Sequence, residues 1–569
     1  MIIFRHFILF LILAMFIKIL RGATLFTDIT IDAGILFSGA SEGVCVFDYN
    51  NDGMDDILFT TRNGSSNHLY RNEGNMIFMD VSFESNIGVT MEARTAVAGD
   101  FDNDGDLDVF IGATLGESRL FENTGEGTFQ DITDISGINV SDQVRGSAWV
   151  DHDTDGFLDL YVGLLYEPNK LFKNNGDGTF VDVAQNIGAA GPLAAGIIMG
   201  LGFIDYDRDG DQDLFITQDN NNGNILLRYE DSGIYTDVSA ISQTDLDVMG
   251  MGVAFGDIDR DGLFDFYTTN LYENSLLLNS ISGVFTDISA SSGTEDTPGS
   301  MGWGTFFFDA NNDGWVDIYN NNETAFGGVI NSLMINQGDL TFNMLNYESG
   351  AVINNNGYGS AFSDFDRDGD LDMILVGHPS SSGSINLLRN DSDPQNWIMF
   401  KLSQLEQNIY GVGSTIELYH GNTRQLNFIG AGNGYCSQNT LDVHFGLGQE
   451  TIIDSVIVIN ESCCGGDGEI IVSITGGTPL VDGNGSSYYE YETIVNKTFK
   501  LREFVAKDKQ GKGMYSAAIN SYRAFLSDIT QVSVKQDIDD IIEGVVKTIQ
   551  HDMPNSARYG IFNIGNSKP

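Results

Sequence analysis

Short acidic stretches in this chain have the residue types and the spacing of a metal site. The stretch Asp100–Asp108 carries carboxylates at its first, third, fifth and ninth positions and a glycine, Gly105, at its sixth. On a tight loop these side chains converge on one point, where four negative charges need a cation. Gly105 permits the sharp turn, and the carbonyl of Asp106 can add an oxygen. Such an all-oxygen, flexible cage suits calcium better than zinc or magnesium.

The same pattern occurs seven times, each time with glycine at the sixth position, which argues against solvated acidic turns that look alike by chance. We therefore expect about seven Ca²⁺ ions as cofactors. The predicted ligands are Asp48, Asn50, Asp52 and Asp56 in loop one; Asp100, Asp102, Asp104 and Asp108 in loop two; Asp151, Asp153, Asp155 and Asp159 in loop three; Asp205, Asp207, Asp209 and Asp213 in loop four; Asp257, Asp259, Asp261 and Asp265 in loop five; Asp309, Asn311, Asp313 and Asp317 in loop six; and Asp364, Asp366, Asp368 and Asp372 in loop seven.

The flanking residues exclude an EF-hand, which needs a glutamate at position twelve and a helix on each side. Position twelve is apolar here, as in Phe59 and Ile111, and it lies in a β-type run such as Ile57-Leu-Phe-Thr-Thr61. Each loop is therefore predicted to join two strands.

Composition narrows the class of protein. The 569 residues include 80 acidic and 28 basic ones, and the net charge of −52 argues against a nucleic-acid partner. Seven calcium ions, with two charges each, would neutralise 14 of these charges, so the calcium-free chain should repel itself.

The repeat predicts a mainly β fold. Successive loops begin 51 to 55 residues apart, and each period carries four strand-like segments. One is a small-residue run before the loop, and another is an apolar run after it. The third reads Asn-x-Leu-Phe-x-Asn, as in Asn169–Asn174, and the fourth reads Phe-x-Asp-Val/Ile, as in Phe129–Ile132. Seven such units predict a seven-bladed β-propeller over residues 24–392.

The fourth segment indicates how the ring closes. The last repeat reaches Asn386–Asn390 and then leaves the pattern without a Phe-x-Asp segment. The missing copy lies at the other end of the chain, at Phe26–Thr30, 52 residues before Phe78. We therefore predict that this N-terminal segment completes the last blade and removes an open sheet edge.

Two resemblances follow from these motifs. Blades with segments such as Val97-Ala-Gly-Asp-Phe-Asp-Asn-Asp-Gly105 resemble the FG-GAP/VCBS repeats of integrin α-subunit propellers. After the linker Asp391–Gln395, the motifs in Gly411–Gly413, Gly430–Gln438 and Val443–Gly448 resemble the ASPIC/UnbV module, over residues 396–460. A calcium propeller followed by this module is similar to the cartilage acidic protein family.

That resemblance implies a secreted, calcium-binding, non-catalytic protein of the matrix or adhesion type, located outside the cell or on its surface. The Cys-rich EGF-like tail of some members is absent, so a role that depends on it does not transfer. The expected partner is an extracellular protein or glycan. An extracellular enzyme acting on polysaccharide and a purely structural envelope domain are the alternatives.

The remaining segments are less informative. Residues 1–22 read as a signal peptide, with an uncleaved membrane anchor as the alternative, and we expect no membrane span in the mature chain. Residues 461–498 are Gly-rich and β-like, and residues 499–569 form a tail in which helical spacing predicts two amphipathic helices. Cys45 is expected to be buried, and Cys436 could pair with Cys463 or Cys464.

A catalytic site is not indicated. Gly39–Gly43 fits the G-x-S-x-G pattern, but it aligns with the start of an innermost strand and lacks the following helix of a nucleophile elbow. The histidines are scattered: His152 is expected to point outward from its loop, and His444 to be structural. We place the partner surface on the face opposite the calcium loops. Residues expected near that face are Arg62, Arg94, Arg145, Met249, Met301 and Trp303.

Overall fold

The computed structural model describes residues 25–37, 41–191, 196–220, 222–296, 299–324, 327–345, 347–377, 384–404 and 407–459. It also describes strand residues 470–477, 479–481, 487–489, 492–493, 497–499 and 560–562. The fold is mainly β. Among these described residues, the helices are single turns that follow a fourth strand, at Thr133–Ser136, Ser239–Ser242 and Ser289–Ser292, with a 3₁₀ turn at Tyr347–Ser349.

Within the described residues, seven antiparallel sheets of four repeat strands follow one another along the chain. We number these blades one to seven. Their first strands are Ser41–Phe47, Glu92–Gly99, Val144–Val150, Ile197–Ile204, Gly250–Gly256, Gly302–Phe308 and Gly357–Ser363. The second strands are Asp56–Thr61, Asp108–Leu115, Asp159–Leu164, Asp213–Asp219, Asp265–Asn270, Asp317–Asn322 and Asp372–Gly377. The third strands are His68–Asn72, Arg119–Asn123, Lys170–Asn174, Ile225–Glu230, Ser275–Leu278, Ser332–Asn336 and Asn386–Asn390. The fourth strands are Phe78–Asp80, Phe129–Asp131, Phe180–Asp182, Ile234–Asp237, Thr286–Asp287 and Phe342–Met344, and Phe26–Asp28 in blade seven.

The ring closes as the sequence predicts. Each first strand packs against the first strand of the next blade, and that of blade seven packs against that of blade one. Phe26–Asp28 pairs with the third strand of blade seven, with Phe26 opposite Asn390. The Thr30 hydroxyl accepts the Leu387 N–H over 2.8 Å, as the Ser82 hydroxyl accepts the Leu69 N–H in blade one. The N-terminal strand thus repeats the hydrogen bonds of an ordinary fourth strand, and the propeller is confirmed.

A recurring asparagine ties neighbouring blades together. It ends the third strand and is the last residue of the Asn-x-Leu-Phe-x-Asn motif. In blade two, Asn123 Nδ2 donates to Tyr49 O of blade one over 2.8 Å. In blade one, Asn72 Nδ2 donates to Phe365 O of blade seven over 2.9 Å and so spans the closure. Because these amides are buried, each missing bond would leave a polar group unpaired.

The chain after the propeller forms two further sheets. One contains Val443–Gly448, Asn396–Gln404, Ile470–Gly477, Glu492–Thr493 and Lys497–Phe499. The other contains Thr423–Phe428, Thr415–His420, Ser455–Ile459 and Gly560–Phe562, and Pro479–Val481 pairs separately with Ser487–Tyr489. Gly560–Phe562 is a strand within the predicted helical tail. The two helices predicted in that tail fall in the range 500–559, outside the described residues, as does the signal segment at 1–22.

One segment of this second β unit enters the centre of the propeller. Within it, Ser437–Gln438 adds a parallel strand to the first strand of blade one. The Trp149 N–H of blade three donates to Ala431 O over 2.8 Å, and the Leu201 N–H of blade four donates to Gly434 O over 3.2 Å. Residues 430–438, called the plug below, therefore lie on the propeller axis.

Candidate metal loops and the surface that covers them

The first aspartate of each loop shapes the turn. In loop two, the Asp104 N–H donates to Asp100 Oδ1 over 3.1 Å, and the Gly105 N–H donates to Asp100 Oδ2 over 3.0 Å. Loops one, three, four, five and six contain the same two bonds. The φ angle of Gly105 is +93°, a conformation that favours glycine. The backbone thus holds the carboxylates on the inside of the turn.

The ninth-position aspartate begins the second strand and is at most 1 % exposed in all seven loops. In loop two, Asp108 Oδ1 accepts the Asn123 N–H over 2.8 Å, and Asp108 Oδ2 accepts the Phe101 N–H over 3.2 Å. This carboxylate therefore joins the loop to the second and third strands of its blade.

Several loop oxygens are buried without a hydrogen-bond partner. They are Asp153 Oδ1, Asp207 Oδ1, Asp213 Oδ2, Asp364 Oδ1 and Asp366 Oδ1. A buried anionic oxygen is costly unless a cation or a donor satisfies it. In several loops, one ligand atom from each of three carboxylates lies within 4.8 Å of the others, and these sets could hold a divalent cation. The sets include Asp100, Asp102 and Asp108; Asp205, Asp207 and Asp213; and Asp257, Asp259 and Asp265.

Burial makes several of the loop carboxylates resist ionisation when no cation is bound. Burial, with the neighbouring charges of Asp102 and Asp104, raises the pKa of Asp100 to about 7. Burial also raises the pKa of Asp257 to about 7 and that of Asp56 to about 9. The same cause raises the pKa of the ninth-position aspartates in loops two, four, five, six and seven. A divalent cation would reverse these shifts because it stabilises the charged form.

The fourth position of the loop has a role that the sequence did not reveal. Its residue has a φ between 56° and 62° in every loop, and asparagine tolerates that conformation. Asn51 Nδ2 donates to Gly105 O over 3.1 Å, and Asn312 Nδ2 donates to Gly369 O over 3.0 Å. The fourth position thus links one loop to the next. The occurrence of asparagine there in loops one, two and six was the available signal.

The second β unit covers the loop face of the propeller. Side chains and backbone amides of this unit bind carbonyl oxygens of sixth-position glycines. The bonds are Tyr410 Oη to Gly105 O at 2.9 Å, the Asn408 N–H to Gly156 O at 3.0 Å, and His444 Nε2 to Gly369 O at 2.9 Å. A Cβ added at Gly369 would lie 1.8 Å from the Trp397 indole. Glycine is therefore needed both for the turn and for this contact, and His444 has the structural place predicted for it.

The third loop differs from the others. Lys173 Nζ, from the third strand of the blade, binds the carboxylates of Asp153 and Asp155, the latter over 2.7 Å. His152 is 4 % exposed, and its Nδ1 contacts the Asp159 carboxylate. The prediction that His152 points outward is therefore wrong, because its ring turns inward toward a buried anion.

The position of the plug shows that some residues predicted for the partner surface are not accessible. Tyr435 is 1 % exposed, and its ring lies 4.9 Å from that of Trp303. Its hydroxyl accepts a hydrogen bond from Arg94, whose Nη1 lies 2.9 Å from Glu42 Oε2. Arg94 is thus buried in an ion pair beneath the plug and is not available to a partner. Among the other residues expected at this face, Trp303 is buried, Arg145, Met249 and Met301 are half-buried, and Arg62 is half-buried at the rim.

The remaining candidate residues that the structure describes are buried in the fold. Cys45 is fully buried as predicted, and Cys436 is a buried free thiol whose proposed partners, Cys463 and Cys464, lie outside the described residues. Of the G-x-S-x-G segment, residues 41–43 form the start of the first strand of blade one, and Ser41 is 1 % exposed. That position agrees with the strand alignment made from the sequence.

Comparisons with known proteins agree with these elements. The model of FG-GAP-like repeats matches residues 48–111, 100–162, 164–216 and 205–268. The ASPIC and UnbV model matches residues 404–462. The chain therefore carries FG-GAP-like repeats and an ASPIC/UnbV domain, which forms part of the second β unit described above.

The chain is similar to proteins named cartilage acidic protein 1. The protein from Xenopus tropicalis is 26 % identical over 204 residues, which cover 34 % of this chain and 31 % of the relative. The protein from Mus musculus is 24 % identical over 441 residues, which cover 72 % of this chain and 60 % of the relative. This chain is thus weakly homologous to them and matches less than two thirds of their length.

Among solved structures, the Dos1 propeller is 10 % identical, with a TM-score of 0.34 and coverage of 75 % of this chain and 97 % of that chain. Over the part of the chain that the structure describes, no helix is long and apolar enough to span a membrane.

Proposed function

We propose that this chain, a propeller of FG-GAP-like repeats covered by an ASPIC/UnbV domain, is a secreted, calcium-stabilised binding protein of the adhesion or matrix type, without catalytic activity. The observation that carries the proposal is the set of buried, unpartnered carboxylate oxygens in the loops. Calcium is the cation chosen because the donors are all oxygens on flexible aspartates. The signal-like segment at residues 1–22 and the relatives named cartilage acidic protein support secretion.

In this proposal calcium stabilises two contacts at once. A cation in loop two would join Asp100, Asp102 and Asp108, and hence the first two strands of the blade. The same loop presents Gly105 O to Tyr410 of the ASPIC/UnbV domain. Filling the loops would therefore fix both the blades and the covering domain. Loop sites of extracellular modules bind calcium with a Kd of about 10⁻⁴ to 10⁻³ M, so the millimolar calcium outside cells would fill them.

The partner surface in this proposal is the face opposite the loops, where the second strand of each blade ends. The turns there expose large side chains: Leu115 is 73 % exposed, Tyr166 60 % and Tyr272 49 %. Tyr166 and Tyr272 have φ angles of +63° and +88°, which are uncommon for tyrosine, and such strain is concentrated at functional positions. An exposed tyrosine offers both a flat apolar ring and a hydroxyl to a protein or a glycan.

The test is a glycan array combined with a pull-down of extracellular proteins, using the full chain in calcium. The Tyr166→Ser/Tyr272→Ser variant should lose the partner and keep its calcium-dependent melting temperature, because both side chains lie far from the loops. Ile281→Ser is the matched control, at a side chain that is 91 % exposed in the turn between the third and fourth strands of blade five. Hydrolysis of a polysaccharide on the array would instead support the enzyme alternative, and the absence of any partner would support a purely structural envelope domain.

A further inference from the structure

The seven loops differ in the charge beside them. In each blade, a backbone N–H near the end of the third strand donates to the ninth-position aspartate, with N···O distances of 2.7 or 2.8 Å. The residue before that N–H therefore stands at an equivalent place next to every loop. From blade one to blade seven these residues are Arg71, Glu122, Lys173, Arg228, Leu278, Ile335 and Arg389.

In the three blades with an arginine here, a carboxylate two residues further on binds the guanidinium. The guanidinium is thus held by a direct ion pair with that carboxylate, and its charge acts on the loop carboxylates at longer range. The pairs are Arg71 Nε to Glu73 Oε1 at 2.7 Å, Arg228 Nη2 to Glu230 Oε1 at 2.7 Å, and Arg389 Nη2 to Asp391 Oδ1 at 2.8 Å.

Blade three lacks this carboxylate. The residue two positions after Lys173 is Asn175, whose Nδ2 donates to Thr179 Oγ1 over 3.0 Å. Lys173 Nζ instead binds the third-position and fifth-position carboxylates of its loop, Asp153 and Asp155. The Lys173 ammonium thus occupies carboxylate oxygens that a calcium ion in this loop would need as ligands.

We propose that Lys173 is a built-in cation of the third loop, so that this loop takes no calcium at concentrations that fill the other six. The inference rests on the proposed function, in that the other loops must bind calcium. A side chain tethered beside its carboxylates acts at an effective concentration of about millimolar, which matches the calcium available outside cells. Calcium would also have to share Asp159 with the contacting His152 ring.

The lysine near loop one does not have this effect. Lys401 Nζ, from the ASPIC/UnbV domain, lies 3.4 Å from Asp48 Oδ2, an oxygen that already accepts the Gly53 N–H over 2.8 Å. Its charge is shared among Asp442, Asp48 and Asp55, and its contact with the loop ligand Asp48 is long, whereas Lys173 binds two loop carboxylates directly. Loop one therefore remains among the six.

The test counts bound calcium by equilibrium dialysis of the full chain, with the metal measured by atomic emission. Wild type should bind six ions. Lys173→Leu, which copies the leucine of blade five, should bind seven. Asn175→Glu should also bind seven, because it supplies the carboxylate that holds the cation away in blades one, four and seven. Arg228→Leu, the matched control, should leave the count at six.

The outcomes separate the two proposals. Seven ions in wild type, or six in both Lys173→Leu and Asn175→Glu, would overturn the role of Lys173 and leave calcium binding in place. No bound calcium in any variant would overturn the proposed function itself. Since Asn175 is exposed, Asn175→Glu keeps the test decisive even where Lys173→Leu fails to fold.

Discussion

The first aspartate of each loop has two roles in this account: it binds the backbone of the turn and it supplies charge for the cation. In loop five, Asp257 Oδ2 accepts the Gly262 N–H over 2.9 Å, and Asp257 belongs to a cluster with Asp259 and Asp265. An asparagine keeps one acceptor oxygen, but it loses one of the two hydrogen bonds of the turn and removes the charge. The substitution therefore affects both roles, and comparing the chain with and without calcium separates them.

We predict that Asp257→Asn binds one calcium ion fewer than wild type. At free calcium near ten times Kd, the lost ion lowers the free energy of unfolding by about 1.4 kcal/mol. Calcium-free stability should change little, because the loss of one turn hydrogen bond offsets the relief of a buried repulsion. Calorimetric titration and thermal melting measure the two effects. The control is Glu117→Gln, at an exposed site away from the loops, which should change neither.

The raised carboxylate pKa values predict an unusual pH dependence for the calcium-free chain. The folded pKa of Asp100 and of Asp257 is about 7, whereas an unfolded aspartate titrates near about 3.9. Between these values the folded chain binds more protons, so its stability should rise as the pH falls from 8 to 5. With calcium bound, protons compete with the ion and the trend should reverse. Melting curves in metal-free and calcium-containing buffers check this, and a calcium-free melting temperature that falls on acidification would contradict it.

Local spacing made the loops predictable from sequence. The ligand positions and Gly105 all lie within nine residues, and the hydrogen bonds within the turn follow that order. The positions of His152 and Lys173 were not predictable in the same way. His152 contacts the carboxylate that begins the next strand, and Lys173 reaches its loop only through the register of the third strand.

At the scale of elements, the N-terminal strand is the clearest success of the sequence analysis. It was placed by counting copies of the fourth segment, and it pairs with Asn386–Asn390 as expected. It also supplies Thr30, which satisfies the Leu387 N–H. Its loss would expose a sheet edge and leave that amide unpaired.

Deletion of residues 24–31 should therefore destabilise the whole ring rather than blade seven alone. Thr30→Val, which removes only the hydroxyl, should cost about 1–3 kcal/mol. Denaturant unfolding followed by tryptophan fluorescence measures both changes. Ile31→Ser, at a side chain that is 72 % exposed, is the control. An unchanged transition after the deletion would show that the ring does not depend on this strand.

The plug is the element that the sequence did not place. Its motif was recognised, but its position depends on contacts across the whole chain, such as that of Arg94 with Tyr435, which are 341 residues apart. No local periodicity encodes such a contact. For the same reason the sequence predicts an open face for Arg94, whereas the structure leaves it only 4 % exposed.

Tyr435→Ala should destabilise the propeller itself by about 3–5 kcal/mol, because it leaves a cavity on the axis. Tyr435→Phe should cost about 1–3 kcal/mol, since the buried guanidinium of Arg94 loses a partner. Tyr347→Ala, at a side chain that is 65 % exposed, is the control. Equilibrium unfolding measures these differences, and a plug mutant as stable as the control would argue against a structural role on the axis.

At the scale of the molecule, the propeller and the ASPIC/UnbV domain form one structure whose shared surface is made of acidic loops. The net charge of −52 therefore affects how the propeller packs against the ASPIC/UnbV domain, as well as the solubility of the chain. Cations in the loops would neutralise charge at the contact between the two parts. Without them, repulsion should loosen both the blades and the covering domain.

The most direct test is differential scanning calorimetry of the full chain in metal-free buffer and at calcium near ten times Kd. With six filled loops at about 1.4 kcal/mol each, calcium should stabilise the chain by about 8 kcal/mol and raise its melting temperature. Magnesium at the same concentration should do much less, since it demands a tighter octahedral geometry. A melting temperature that is the same with calcium as in metal-free buffer would contradict the account.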